Sequence, residues 1–231
     1  MTDSATGEPL ANVEVSIGGC KTTTDSQGFY KFTNIATNNR AVINFSKDGY
    51  FQNSAIISIE QYLENSVDLS SNFLEYSIDA YDREWSYDGQ TEPVSVHADI
   101  PVGILADKSG SAYYGTVTAR LEVSDITTDA GKILFPGDFE GINVYGETVL
   151  FSSYGMISLL LEDTAGNRLD IETGAAVTLT FDTVTSMQEY SVIPLWYYDY
   201  DQGLWIEDGY AERQTDGTYK GEISHFGTWS L

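Results

Sequence analysis

Apolar and polar residues alternate along almost the whole of this 231-residue chain. Successive side chains of a β-strand point to opposite faces, so a period of two predicts strands that bury one face. An amphipathic helix would instead repeat at three and four residues, and no stretch shows that spacing convincingly. Runs with the strand pattern include residues 13–17, 30–32, 41–45 and 117–123. The sequence therefore predicts an all-β protein.

Clusters of Gly, Asp, Asn and Ser interrupt these runs and predict turns. The clearest clusters are residues 18–19, 25–28, 37–39, 163–167 and 172–174. Predicted strands are shorter before residue 70 than after it, and neither a Pro-rich nor a Gly/Ser-rich linker separates the two parts. We therefore predict two closely packed β-sandwich domains, residues 1–72 and residues 73–231.

Charge and composition exclude several classes of function. The chain has 35 Asp and Glu against 11 Lys and Arg, a formal net charge of −24 at pH 7. We expect no nucleic-acid partner, because phosphate binding requires clustered cations. Apolar residues make up 42% of the chain, which is too many for a disordered protein. No run approaches the length of about 18 apolar residues typical of a membrane helix, so we also expect no membrane insertion.

Three motifs occur in order in the first predicted domain. They are T-G-x-P-L at residues 6–10, T-D-x-x-G-x-Y-x-F at 24–32 and G-Y at 49–50. In this order they resemble a carboxypeptidase regulatory-like domain, which implies a small transthyretin-like (prealbumin-like) sandwich. Members of that family have one more strand before the segment that matches Thr2 and Asp3. The resemblance thus implies that the first strand is missing here, which leaves a sheet edge that another copy or domain could pair with.

A second set of motifs lies in the larger predicted domain. They are F-P-G-D-F at residues 135–139, S-Y-G-M at 153–156, D-T-A-G-N-R-L at 163–169, I-P-L-W-Y-Y-D at 193–199 and S-H-F at 224–226. Together they are similar to a β-sandwich region of cartilage intermediate layer protein and of bacterial surface proteins. That region lies among other extracellular domains, where its activity is mostly adhesion or ligand binding. The resemblance implies a bacterial extracellular or cell-surface location, with the signal peptide outside this segment. We also expect the chain to be cut at both ends, because the first domain lacks its family's first strand and the apolar pattern is still running at residues 229–231.

Few residues offer catalytic chemistry. A Ser, Cys or Thr nucleophile needs a base within reach, and the imidazoles, His97 and His225, lie in no recognisable catalytic motif. The single cysteine, Cys20, follows two glycines at a predicted hairpin and is expected to be inert. Three scattered His and Cys residues are also too few for a zinc site. We therefore expect no catalytic residues and no enzymatic activity.

An aromatic hairpin near residues 193–205 is the strongest candidate for a binding site. Its strands carry Trp196, Tyr198 and Trp205, and its turn carries Asp199 and Asp201. Alternation places Trp196 and Tyr198 on one face of the strand, which must meet a core, another domain or solvent. One interpretation is core packing with an interdomain contact. The other is a stacking platform for sugar rings, with the two aspartates accepting hydrogen bonds from hydroxyls.

The hairpin turn also contains a fragment of calcium-loop spacing, Asp199, Asp201 and Gly203. An EF-hand loop needs a bidentate Glu at position twelve, and that position is Tyr210 here, so an EF-hand is excluded. An ordinary turn accounts for these residues. Because the net charge favours cations, a Ca²⁺ site assembled from several loops stays open, without assigned ligands. No other cofactor is expected.

These observations predict a non-catalytic extracellular module of a larger bacterial surface or secreted protein, used for adhesion, ligand binding or structural spacing. The alternative is an accessory region, regulatory or carbohydrate-binding, of a secreted hydrolase whose catalytic residues lie elsewhere. The expected partners are other domains of the same polypeptide and a protein or carbohydrate ligand.

Overall fold

The computed structural model describes residues 1–59, 68–69, 74–79, 85–91, 94–182 and 190–231. Within these residues the chain is all-β, with a single short helix, as the alternation predicts. The N-terminal unit contains β1 (Thr2–Asp3), β2 (Glu14–Ile17), β3 (Cys20–Thr23), β4 (Asn38–Ser46), β5 (Asn53–Ile59) and β6 (Asp68–Leu69). The predicted domain boundary between residues 72 and 73 lies outside the described residues.

The C-terminal unit carries the remaining elements. They are β7 (Leu74–Asp79), β8 (Trp85–Thr91), β9 (Val94–Ile100), β10 (Leu105–Ala106), β11 (Thr116–Ser124), α1 (Asp129–Leu134), β12 (Glu140–Ile142), β13 (Thr148–Leu150), β14 (Met156–Asp163), β15 (Asp170–Ile171), β16 (Val177–Phe181), β17 (Val192–Asp199), β18 (Leu204–Arg213), β19 (Tyr219–Ile223) and β20 (Gly227–Ser230).

The N-terminal unit is built on an antiparallel sheet of order β3-β2-β4-β5. The runs at 13–17 and 41–45 are confirmed, because their apolar side chains form the buried core of this unit. The short strand β1 pairs in parallel with β6, and Thr2 also bridges to Pro9. These contacts bring the beginning of the described chain back onto its own unit.

Two local predictions for the N-terminal unit are wrong. Residues 30–32 form no strand, although Tyr30 packs edge-on against Phe45 with ring centroids 5.7 Å apart. The alternation of apolar and polar residues indicates which side chains are buried. A strand also requires a neighbouring strand whose backbone forms hydrogen bonds with it. The turn predicted at 37–39 is also absent, because β4 already begins at Asn38 and absorbs the polar residues as an irregularity in its pairing with β5.

A large sheet dominates the C-terminal unit, with the order β7-β11-β14-β20-β17-β18-β19-β16-β9-β8. Its pairings along this path are antiparallel, and the run at 117–123 lies in β11 as predicted. One face of β17 points Leu195 and Tyr197 into the main core, and the opposite face carries Trp196 and Tyr198 into a separate cluster. The sheet therefore has buried side chains on both faces at β17.

The helix α1 has no counterpart in the sequence prediction, since its six residues are too few to show a helical period. Thr128 caps it by accepting a hydrogen bond from the Gly131 amide. Near the C-terminal end of the chain, β19 and β20 follow each other with a bend between them. Gly227 begins β20 with a φ of 148°, a conformation that favours glycine. Within the described residues, no helix has the length and apolar character needed to cross a membrane.

Candidate functional site

The three aromatic residues proposed for ligand binding are core side chains. Trp196 and Tyr198 are each 4% exposed, and Trp205 is 0% exposed. Phe151 stacks on Trp196 with centroids 4.6 Å apart, and Phe135 stacks on Trp205 at 4.7 Å. A sugar ring needs an exposed aromatic face, and neighbouring rings already cover these faces. The packing interpretation therefore describes this aromatic cluster.

The segment that covers the aromatic cluster was not anticipated from sequence. It runs from α1 through β12 and β13, and it supplies Phe135 and Phe151. Gly141 allows the backbone of β12 to lie directly against Trp196, since a Cβ at this position would be 2.8 Å from Cζ3 of Trp196. Its backbone also pairs with that of Trp205 on β18. A glycine in the middle of a short strand is the local feature that could have indicated this packing.

Asp199 and Asp201 lie in the hairpin turn, as predicted. Oδ1 of Asp199 accepts hydrogen bonds from the amides of Asp201 at 2.8 Å and Gln202 at 3.0 Å. Its Oδ2 accepts a bond from Nε2 of Gln202 at 2.5 Å. Both carboxylate oxygens of Asp199 thus hold the turn closed, while Asp201 is exposed. The turn interpretation accounts for both aspartates.

The same turn packs against the N-terminal unit. Arg40 on β4 donates a hydrogen bond from Nη2 to the carbonyl of Gly203 at 2.9 Å. Asn44, further along β4, donates from Nδ2 to the carbonyl of Tyr200 at 2.9 Å. Arg40 also reaches the segment that covers the aromatic cluster, since its Nε lies 3.4 Å from Oε2 of Glu140. We call this contact between the two units the seam.

Two tyrosines complete the seam from the C-terminal side. Tyr198 donates its hydroxyl to Oγ of Ser54 at 3.1 Å, and Tyr200 donates to the carbonyl of Gln52 at 2.9 Å. The amide of Gly137 donates to the carbonyl of Ser54 at 2.9 Å. Burial raises the pKa of Tyr200 to about 12 and raises the pKa of Tyr198 further above its ordinary value. Both hydroxyls therefore keep their protons to a higher pH than an exposed tyrosine does.

A polar cleft of about 420 Å³ opens between the two units and shares Gln52 with the seam. The N-terminal wall comes from the start of β2 and the loop after β4, residues 46–50. The opposite wall carries Arg120, Glu162 and Arg168. Its lining includes three basic and three acidic residues, which contrasts with 11 basic and 35 acidic residues in the whole chain. The cleft is thus far less acidic than the molecule around it.

Arg168 differs from the other basic residues of the cleft. Glu162, which lies opposite Arg168 across an isolated antiparallel bridge, pairs instead with Nη1 of Arg120. Lys47 donates from Nζ to the carbonyl of Ala11 at 2.9 Å. Within the described parts of the chain, Arg168 has no ion pair, and its side chain is exposed to the cleft. Sequence reasoning missed this cleft because its walls come from distant segments.

The groups considered for nucleophilic chemistry lie on different elements. His97 is on β9, where its Nε2 lies 3.0 Å from Oδ1 of Asp99. His225 lies in the bend before β20 and packs against Tyr197 and Trp229 with ring centroids 4.6 and 4.8 Å apart. Cys20 is exposed at the start of β3 in the N-terminal unit. The structure gives these three residues separate surroundings.

Loop carboxylates are largely occupied by their own turns. Oδ1 of Asp163 accepts the amides of Ala165 and Asn167, each at 2.8 Å, and a side-chain bond from Asn167 lowers the pKa of Asp163. Asp107 binds the amides of its own loop in the same way, and a bond from the hydroxyl of Ser109 lowers the pKa of Asp107. Across the described ranges, no group of three His, Cys, Asp or Glu side chains is arranged to hold a metal ion.

These loops lead to a prediction about salt and calcium. The net charge of −24 opposes the compact state, and salt screens such repulsion beyond roughly 8–10 Å, so added NaCl should raise the melting temperature. Because the oxygens of Asp107 and Asp163 already hold their loops, we expect CaCl₂ at matched ionic strength to give the same shift. Thermal melts followed by circular dichroism measure both shifts. A clearly larger shift with CaCl₂ would establish a specific calcium site.

Comparison of the chain with protein-family models, with curated proteins and with solved structures finds no match. The two resemblances therefore stay predictions. The function proposed for the chain depends on the geometry of the seam and of the cleft.

Proposed function

We propose that the chain is a non-catalytic module of a larger bacterial surface or secreted protein, in which the two sandwich units form one rigid spacer. Its partners in this role are neighbouring domains of the same polypeptide, in an extracellular setting. The observation that carries the proposal is the seam, where side chains and backbone of one unit bind directly to the other. A spacer that sets a distance requires a stiff joint, whereas domains joined only by small polar contacts generally move relative to each other. The seam adds apolar packing to its hydrogen bonds, because the backbone at Gly203 lies directly against the side chains of Val42 and Ile56.

The hydrogen bonds of the seam explain why the joint should be stiff. Tyr198 is almost completely buried, so separating the units would remove its partner, Ser54, and expose the rings beneath it. Arg40 contacts the turn and the covering segment at once, through Gly203 and Glu140. Opening the joint would exchange these hydrogen bonds for bonds to water, and a typical intramolecular hydrogen bond contributes about 0.5–1.5 kcal/mol net, which opposes hinge motion at each of these positions.

Gly203 provides a direct test of the seam. Its φ is 64°, and a Cβ at this position would lie 2.5 Å from Cγ2 of Val42 and 2.8 Å from Cδ1 of Ile56. Gly203→Ala therefore combines backbone strain of roughly 1–2 kcal/mol with a clash at the seam. Gly146 is the matched control, since its φ is 77° and nothing lies within 4 Å of a Cβ built there.

We expect Gly203→Ala to lower the free energy of unfolding by about 1–3 kcal/mol more than Gly146→Ala, the usual cost of overpacking. Urea unfolding followed by circular dichroism measures this difference. In the unchanged protein, ¹⁵N relaxation should give one rotational correlation time for both units. Equal losses in the two variants, or separate correlation times for the two units, would contradict the rigid spacer.

The cleft supports the second candidate function, an accessory carbohydrate-binding or regulatory region of a secreted hydrolase. Ligand sites occur preferentially at interfaces between domains, and typical sites have volumes of about 300–1,000 Å³. The volume of about 420 Å³ lies within this range. The chain can act both as a spacer and as a ligand-binding region, because a stiff seam also fixes the positions of the two walls of the cleft relative to each other.

A further inference from the structure

Beyond the spacer function, we infer that the cleft binds a small sugar that carries a carboxylate, a uronic acid, with Arg168 pairing with the carboxylate. The inference requires only that the two units stay together as they do in the structure. It assigns a ligand class and an anchoring residue to a surface that the sequence did not single out.

The first argument is the position of Arg168. Residues directly opposite each other in an antiparallel pair have Cβ atoms about 4.5–5.5 Å apart, so Glu162 is the natural partner of Arg168. Arg120 occupies Glu162 instead, and the side chains of this competing pair are each only 18% exposed. Arg168 is thus left with a planar guanidinium facing the cleft, and such a group binds carboxylates through two parallel hydrogen bonds.

The second argument is the charge balance around Arg168. A chain with 35 acidic residues repels anions over most of its surface, whereas the lining of the cleft holds equal numbers of basic and acidic residues. Lys21 bonds to the acidic lining residue Glu14 at 2.7 Å, and Arg120 pairs with Glu162. Among the described residues, Lys47, Asp48 and Arg168 are the lining charges without an ion pair, and Asp48 offsets Lys47. The net charge that remains is that of one guanidinium, which suits a ligand group with a single negative charge better than a phosphate with nearly two.

The third argument is the polarity of the opposite wall. Asn12, Ser46 and Gln52 supply amide and hydroxyl groups that can both donate and accept hydrogen bonds. Asp48 supplies carboxylate oxygens that can accept bonds from ligand hydroxyls. Apolar lining comes from Leu160, the ring of Tyr50 and parts of long side chains, so the cleft offers little apolar surface for the side chains of a peptide. A sugar ring with one carboxylate can form hydrogen bonds to these polar groups through its hydroxyls while its carboxylate pairs with Arg168.

The test compares ligands that differ in one group. The ¹⁵N-labelled full chain is titrated with sodium D-glucuronate and with D-glucose, which has a hydroxymethyl group in place of the carboxylate. We expect glucuronate to shift the amides of Ser46, Gly49 and Gly166, and to bind at least tenfold more tightly than glucose. Equal affinities, shifts confined to other regions or no shift with glucuronate would overturn the proposal. Tighter binding of N-acetylglycine, a peptide carboxylate, would overturn it in favour of a peptide ligand.

A pair of variants then tests the anchor. Arg168→Gln should weaken glucuronate binding at least tenfold, and its exposed position allows it to fold normally, which near-ultraviolet circular dichroism checks. Arg213→Gln removes the same charge from an exposed position on β18, outside the cleft, and should leave the affinity unchanged. Unchanged binding in Arg168→Gln, or an equal loss in both variants, would refute the anchoring role. The Gly203→Ala comparison uses no ligand, so the spacer function and the ligand site can fail separately.

Discussion

Replacing Trp205 with alanine should lower the free energy of unfolding by about 3–5 kcal/mol, the range typical of a buried tryptophan. Trp205 is fully buried, stacks on Phe135 and meets Tyr198 edge-on with centroids 5.1 Å apart. Its removal would leave a cavity between the large sheet and the segment that covers it. Because Tyr198 also bonds to Ser54, the loss should extend to the seam.

The control for Trp205 is Tyr210→Ala on the same strand. Tyr210 is 59% exposed, and exposed substitutions usually change stability by about 0.5 kcal/mol or less. Urea unfolding of both variants, followed by circular dichroism, gives the comparison. Similar small losses would mean that the aromatic cluster is not a core, and they would restore the interpretation of these rings as a ligand platform.

Raising the pH above 10 should selectively weaken the seam. The pKa of Tyr200 is raised from 10.0 to about 12 by burial, so the folded state binds the phenolic proton more tightly than the unfolded state does. The stabilisation is complete below pH 10 and is lost as the pH rises through about 12. The raised pKa of Tyr200 contributes at most roughly 2–3 kcal/mol to the free energy of unfolding. The raised pKa of Tyr198 acts in the same direction.

Tyr200→Phe separates this effect from general alkaline unfolding. At pH 7 the variant should lose about 0.5–1.5 kcal/mol, because the hydrogen bond to the carbonyl of Gln52 is absent. Between pH 10 and 12 its stability should fall less steeply than that of the unchanged protein. Tyr145→Phe, at a side chain that is 83% exposed, should leave the pH profile unchanged. Parallel pH profiles for all three proteins would show that ionisation of Tyr200 is not linked to folding.

Local features of the sequence were enough to predict much of the fold. The run at 13–17 and the run at 117–123 predicted strands, because the alternation of side-chain direction is a property of the strand itself. The turn at 163–167 could also be predicted from sequence, because its determinants lie within five residues of each other. They are an Asp that binds the amides of its own loop and a glycine with positive φ. The alternation also predicted that Trp196 and Tyr198 lie on the opposite face of the strand from Leu195 and Tyr197.

What covers each face was decided only by the tertiary structure. The sequence left the rings of Trp196 and Trp205 available either to a core or to a ligand, because alternation separates two faces without naming their neighbours. The covering segment with Phe135 and Phe151 settled the choice through contacts between distant parts of the chain. The cleft arose in the same way. In the part of the chain that the structure describes, Arg168 has no ion pair because Arg120, from another strand, binds the carboxylate opposite it. Such competition between distant side chains leaves no trace in the local sequence pattern.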